Sequence, residues 1–126
     1  MTGRPDAGNS RDANSPESVA LEIEVEAAGP LLASGSDVLL LDCREPDEFQ
    51  FARIPGSRLI PMNEIPARLE EIAAYRERPL IVHCHHGGRS LRVVQFLRKQ
   101  GFLRAQNMKG GIDAWSCRVD PSIPRY

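Results

Sequence analysis

Apolar residues along this chain gather into short blocks separated by longer polar stretches with helical spacing. Residues 38–41 run Val-Leu-Leu-Leu into Asp42, and residues 80–82 run from Pro79 into His83-Cys84. Short continuous apolar runs between breakers suit strands covered on both faces, the signature of a parallel sheet. Weaker strand blocks stand at Leu59-Ile60 and at residues 105–108, and residues 21–25 are read as a first strand. Between them, Asn63 is placed to cap a helix with Pro66 in its first turn and Ile65, Leu69 and Ile72 on one stripe. Residues 90–100 put Leu91, Val94 and Leu97 on another stripe, and Gly101 follows as a stop. A further helix is expected over residues 26–34, broken or kinked at Gly29-Pro30. Strands alternating with helices predict an α/β domain with a mostly parallel sheet, whose sites form at the carboxyl ends of the strands.

Composition narrows this picture. The chain has 126 residues, a net charge of −1 and an apolar fraction of 41%. Residues 1–18 hold almost nothing apolar among Gly, Pro, Asn, Asp and Ser. Such a stretch buries too little surface to offset its ordering entropy, so it is read as a disordered tail before a domain over residues 19–126. No run approaches the roughly 18 apolar residues of a membrane helix, and no apolar leader opens the chain. The near-neutral charge gives no drive toward nucleic acid or membrane surfaces. Three widely spaced cysteines do not form a disulfide framework, which points to a reducing cytoplasm.

One loop concentrates the chemistry. Cys84-His85-His86-Gly87-Gly88-Arg89-Ser90 joins the second apolar block to the amphipathic helix. A thiol there meets the unpaired N–H groups and positive dipole end of a helix. Gly87 and Gly88 let the backbone curl so that successive amides point inward, and Arg89 adds fixed positive charge. Each effect lowers a thiol pKa and makes Cys84 a nucleophile at neutral pH. Residues 78–112 contain no Asp or Glu but do contain Arg78, Arg89, Arg92, Arg98, Lys99, Arg104 and Lys109. That segment suggests an anionic substrate, although solvated helix faces account for many such charges.

Several motifs in order carry a resemblance. They are Asp42-Cys43-Arg44-Glu45 with Glu48-Phe49, Arg53-Ile54-Pro55-Gly56-Ser57 with Ile60-Pro61, the Cys84 loop, and Lys109-Gly110-Gly111 with Trp115. Together, over about 100 residues, they resemble a single rhodanese-like domain. The resemblance implies a five-stranded parallel sheet with helices on both faces, and a sulfurtransferase in which Cys84 carries a persulfide. It implies a small anionic donor such as thiosulfate, a thiol or protein acceptor, loop residues His85 to Ser90 that cradle the sulfur, and no cofactor or metal. The loop between Cys84 and Arg89 is one residue shorter than in related dual-specificity phosphatases, which suits a single sulfur atom rather than a phosphate. The competing reading is a non-enzymatic rhodanese-like module that relays or senses sulfur.

The remaining residues keep two readings each. Asp42 and Arg44 support the loop, either with Asp42 bonded to its amides and Arg44 on an anion, or as an ion pair with Glu48 or Arg89. His83, Cys84, His85 and His86 are poorly spaced for zinc, since successive residues leaving a strand diverge. Cys43 points away from Asp42 and Arg44, as a buried small hydrophobe or a resolving thiol. Cys117 is a spectator or, alternatively, a resolving thiol. Residues 115–126 resemble the tail of rhodanese domains fused to adenylating enzymes that sulfurate ubiquitin-like carriers. Asp120-Pro121 and Ile123-Pro124 hold that stretch extended, with Ile123 and Tyr126 as apolar anchors of a clasp.

Overall fold

The computed structural model describes residues 19–126, so the tail expected over residues 1–18 lies outside the described residues. The two strong apolar blocks become β2 (Leu39–Asp42) and β4 (Leu80–His83), and β4 is buried along its whole length. They pair in parallel, with Leu41 opposite Val82 and Asp42 opposite His83. The weaker blocks become β3 (Arg58–Leu59) and β5 (Ala105–Met108), and β1 is only Glu22–Ile23. The order β1-β5-β4-β2-β3 is parallel throughout, so β4 lies at the centre and its carboxyl end opens at the switch between β5 and β2.

The period-2 alternation of strands divides the interior into two layers. Leu41, Val82, Cys43 and Cys84 face one cluster with Val94, Leu97 and Phe102. Leu40, Ile81 and Met108 face the other, with Val25, Ile112 and Trp115. Among the described residues, four α-helices cover these layers: α1 (Val25–Ala33), α2 (Pro46–Phe51), α3 (Gly88–Lys99) and α4 (Gly111–Arg118). Burying each large aliphatic side chain contributes about 1.5–3 kcal/mol, which is how short strands hold together.

Three expectations need correction. Residues 21–25 do not stay extended, because buried Val25 opens α1 instead. The break at Gly29-Pro30 is absent, and α1 runs through Pro30. Gly29 lacks the Cβ through which a proline ring in part disfavours helical angles at the residue before it. Asn63 caps nothing: residues Met62–Glu64 and Pro66–Glu77 wind as tight 3-10 turns, with Arg68 departing from helical angles at φ −120°. Ile65 and Ile72 are nevertheless buried, so the apolar stripe lies where the spacing put it.

Candidate functional site

Cys84 follows β4, and its loop feeds directly into α3. Gly87, at the cap of α3, takes φ +109°, a conformation that costs a side-chain-bearing residue energy. That turn aims donors at one atom. Cys84 Sγ accepts from the Gly87 N–H at 3.1 Å, the Ser90 N–H at 3.4 Å and the Ser90 hydroxyl at 3.3 Å. Burial pushes the thiol pKa up, but the Ser90 hydroxyl and the N–H groups of Ser90, Gly87 and Arg89 outweigh it and leave the thiol below its ordinary value. Cys84 is only 1% exposed. Gly88 plays no part in the curl: its φ is not positive and a Cβ there would meet nothing within 4 Å.

A second helix end steadies the loop from behind. The α4 N–H groups of Ile112 and Asp113 donate to the carbonyls of Cys84 at 2.9 Å and His85 at 3.1 Å. Such close approach requires glycine at 111, where a Cβ would lie 2.6 Å from the Cys84 carbonyl oxygen and closer still to that of His85. Gly110-Gly111 therefore builds the loop's floor. Asn107, buried at the end of β5, completes it. Its Oδ1 competes with Cys84 Sγ for the single Ser90 hydroxyl proton, and its Nδ2 donates to Glu22 at 2.8 Å.

The charges around Cys84 are knotted through Glu48 of α2. Arg89 donates to both Glu48 oxygens, at 2.7 and 2.9 Å, and this pairing is the main cause that holds the Glu48 carboxyl at about 2. The Glu45 N–H and the Tyr126 hydroxyl also donate to Glu48, at 2.9 and 2.8 Å. Burial and the Glu48 carboxylate help push the Tyr126 phenol up to about 12, so it stays a donor. Arg44, fully buried, donates to Tyr126 Oη at 2.8 Å, to the Ala52 carbonyl at 2.7 Å and to Asp42 at 2.6 Å. Asp42 also accepts from the Arg44 N–H at 3.0 Å.

Of the residues singled out in the sequence, Cys84, His85, Gly87, Arg89 and Ser90 meet at one cup. His86 stands at its edge, 66% exposed and 3.9 Å from Asp113. Neither reading of Asp42 and Arg44 holds as stated. They pair with each other, Asp42 makes no bond to the loop amides, and buried Arg44 cannot reach an anion in solution. The basic run is less free than expected: Arg78, Arg89 and Lys109 face Asp37, Glu48 and Glu24, and Arg98 donates to the Ala20 and Ala105 carbonyls. Cys43 is a buried hydrophobe whose thiol burial pushes far up, and Cys117 is exposed. His83 is buried, and desolvation lowers its pKa despite Asp42 at 3.7 Å. Burial and neighbouring His86 lower that of His85.

Sequence reading missed Asn107 and α2 altogether, and it named Glu48 only as an ion-pair partner, Gly111 only within a motif and Tyr126 only as an apolar anchor. For α2 a signal was present. Glu45-Pro46 with Glu48 spells a reciprocal cap, and both of its bonds form.

Residues 26–117 match the family described as Rhodanese-like domain. The chain is 39% identical over 95 residues to a sulfurtransferase of Allochromatium vinosum, covering 75% of this chain and 87% of that one. It is 38% identical over 101 residues to adenylyltransferase and sulfurtransferase MOCS3-2 of Zea mays, covering 76% of this chain but only 21% of that one. Among solved structures, the human single-domain sulfurtransferase TSTD1 superimposes with a TM-score of 0.68 at 27% identity, covering 79% of this chain and 98% of that one.

Proposed function

This chain belongs to the rhodanese-like domain family, and from that premise we propose that it is a sulfurtransferase whose sulfur carrier is Cys84. The reading rests on one observation above all: a buried thiol ringed by the Gly87, Arg89 and Ser90 N–H groups and the Ser90 hydroxyl. Those donors stabilise a thiolate, and they stand where negative charge develops as sulfur moves on and off it. The Cys84 thiolate attacks the outer sulfur of a sulfane donor such as thiosulfate. A new S–S bond forms, the donor's S–S bond breaks, and sulfite leaves with the electron pair. An acceptor nucleophile, cyanide in an assay or a thiol or protein partner in a cell, then attacks the outer sulfur and Cys84 departs as thiolate. The two steps balance without oxidant, metal or cofactor.

Arg89 gives an anionic donor its positive charge, although Glu48 shares that charge in the resting site. The three cysteines are free, and a working thiolate suits a reducing compartment such as the cytoplasm. The test is intact mass after thiosulfate treatment. One added sulfur atom is expected, present in Cys117→Ser and absent in Cys84→Ser, together with thiosulfate:cyanide turnover that follows the same pattern. A folded Cys84→Ser variant that still acquired sulfur would overturn the assignment.

A further inference from the structure

One side chain tied to the Cys84 loop comes from no strand, helix or glycine motif. Segment 119–126 crosses the domain, anchored where Ile123 is buried in the α1–α4 cluster and its carbonyl accepts from Ser116 Oγ at 2.6 Å. The expected second anchor, Tyr126, does not enter the core. Its ring instead stacks on His85, with centroids 3.8 Å apart and planes 6° apart, and meets Phe51 edge-on at 5.8 Å. Its hydroxyl accepts from Arg44 and donates to Glu48, both at 2.8 Å. Ring and hydroxyl are thus held at both ends, by an aromatic partner and by two charged ones. Yet the residue is 42% exposed, while Cys84, next to His85 in the chain, is 1% exposed. A side chain so firmly tied and so open to solvent is a rim rather than core packing.

We propose that Tyr126 is the specificity-determining residue of this site, a size filter that admits small donors and acceptors to Cys84 and slows bulky ones. The proposal rests on the reading of Cys84 as the reacting group and adds which molecules reach it. With His85, the residue next to Cys84, pinned under the phenol ring, the filter would pass a small linear anion and require a branched thiol to displace the ring. Displacing it breaks the stack and both hydroxyl bonds together, so the filter is stiff rather than a loose flap.

Alkylation of Cys84 tests this without sulfur chemistry. The reduced protein is treated with iodoacetamide and, separately, with a fluorescein maleimide, and Cys84 labelling is followed by peptide mass so that exposed Cys117 does not interfere. Tyr126→Ala is expected to raise the ratio of bulky to small reagent rates about tenfold, a barrier change of one decade. Tyr126→Leu, which keeps an apolar anchor should the alanine variant fold poorly, carries the same expectation. The kcat/KM for glutathione as acceptor should rise relative to that for cyanide in the same variants. A ratio within about twofold of the parent, or equal acceleration by both reagents, would overturn the proposal, the latter revealing only a loosened loop. Failure to load sulfur from thiosulfate while the alkylation ratio changes would instead count against the sulfurtransferase reading and leave the filter standing.

Discussion

Ser90→Ala isolates the one side-chain donor to Cys84 Sγ among those described. The hydroxyl reaches Sγ at 3.3 Å and shares its one proton with Asn107, so its bond to the thiolate lies at the weak end of charged hydrogen bonds. Such bonds contribute about 1.5–3 kcal/mol, and the long, shared geometry selects about 1.5 kcal/mol here. At 1.36 kcal/mol per pH unit, losing it should raise the Cys84 pKa by about one unit. The sign is fixed by which form the bond favours: it stabilises the charged thiolate, so its removal favours the thiol. The assay is the pH dependence of iodoacetamide alkylation in a Cys117→Ser background, where buried Cys43 stays silent. The midpoint should move up by about one unit, and the rate below it should fall about tenfold. The Gly87 and Ser90 N–H groups remain and continue to oppose the desolvation of the thiolate. A midpoint that stays in place or moves down in a folded variant would refute the reasoning and shift the activation to the backbone alone.

Glu48→Gln tests the charge knot. A carboxyl held at about 2 rather than 4.5 is stabilising above the higher value and loses that contribution as pH falls through the lower one. Screening at half-buried Arg89 leaves about 1 kcal/mol. Urea unfolding should show that gap at pH 7, closing as pH falls from about 5 toward 2, and a gap unchanged in acid would count against it. Gly111→Ala should cost about 2–3 kcal/mol, because a Cβ would press on the Cys84 and His85 carbonyls at φ +63°, whereas Gly88→Ala should change stability by less than about 1 kcal/mol. Equal melting temperatures for the two would mean that α4 does not floor the loop. Arg44→Met should lose about 3–5 kcal/mol, since it strands Asp42 as a buried charge, and a smaller loss by denaturant titration would show that water reaches Asp42.

What the chain reveals unaided depends on how local each cause is. The runs at 38–41 and 80–82 mark the central strands, because burial on both faces leaves a signature within four residues. The stripe of Leu91, Val94 and Leu97 marks α3 for the same reason, and Cys84 stands out because strand end, glycines and helix start adjoin it. Glu48, Asn107, Gly111 and Tyr126 carry no such mark. Glu48 meets Arg89 across 41 residues and Tyr126 across 78, contacts that exist only once the sheet has brought them together. The 3-10 winding of Pro66–Glu77 likewise defeats pattern reading, since its buried positions suit either pitch.

The floor that α4 lays beneath the loop has a consequence for how reactivity arises during folding. The donors and carbonyl contacts around Cys84 draw on α3, α4 and β5, while its charged rim draws on α2 and segment 119–126. Strands paired only in parallel close long loops before they gain contacts, so these pieces converge late. Until they do, Cys84 is an ordinary thiol, mostly protonated at neutral pH and slow toward electrophiles. The donors that lower the Cys84 pKa thus act only in completed molecules, and an incomplete chain leaves this thiol at its ordinary value.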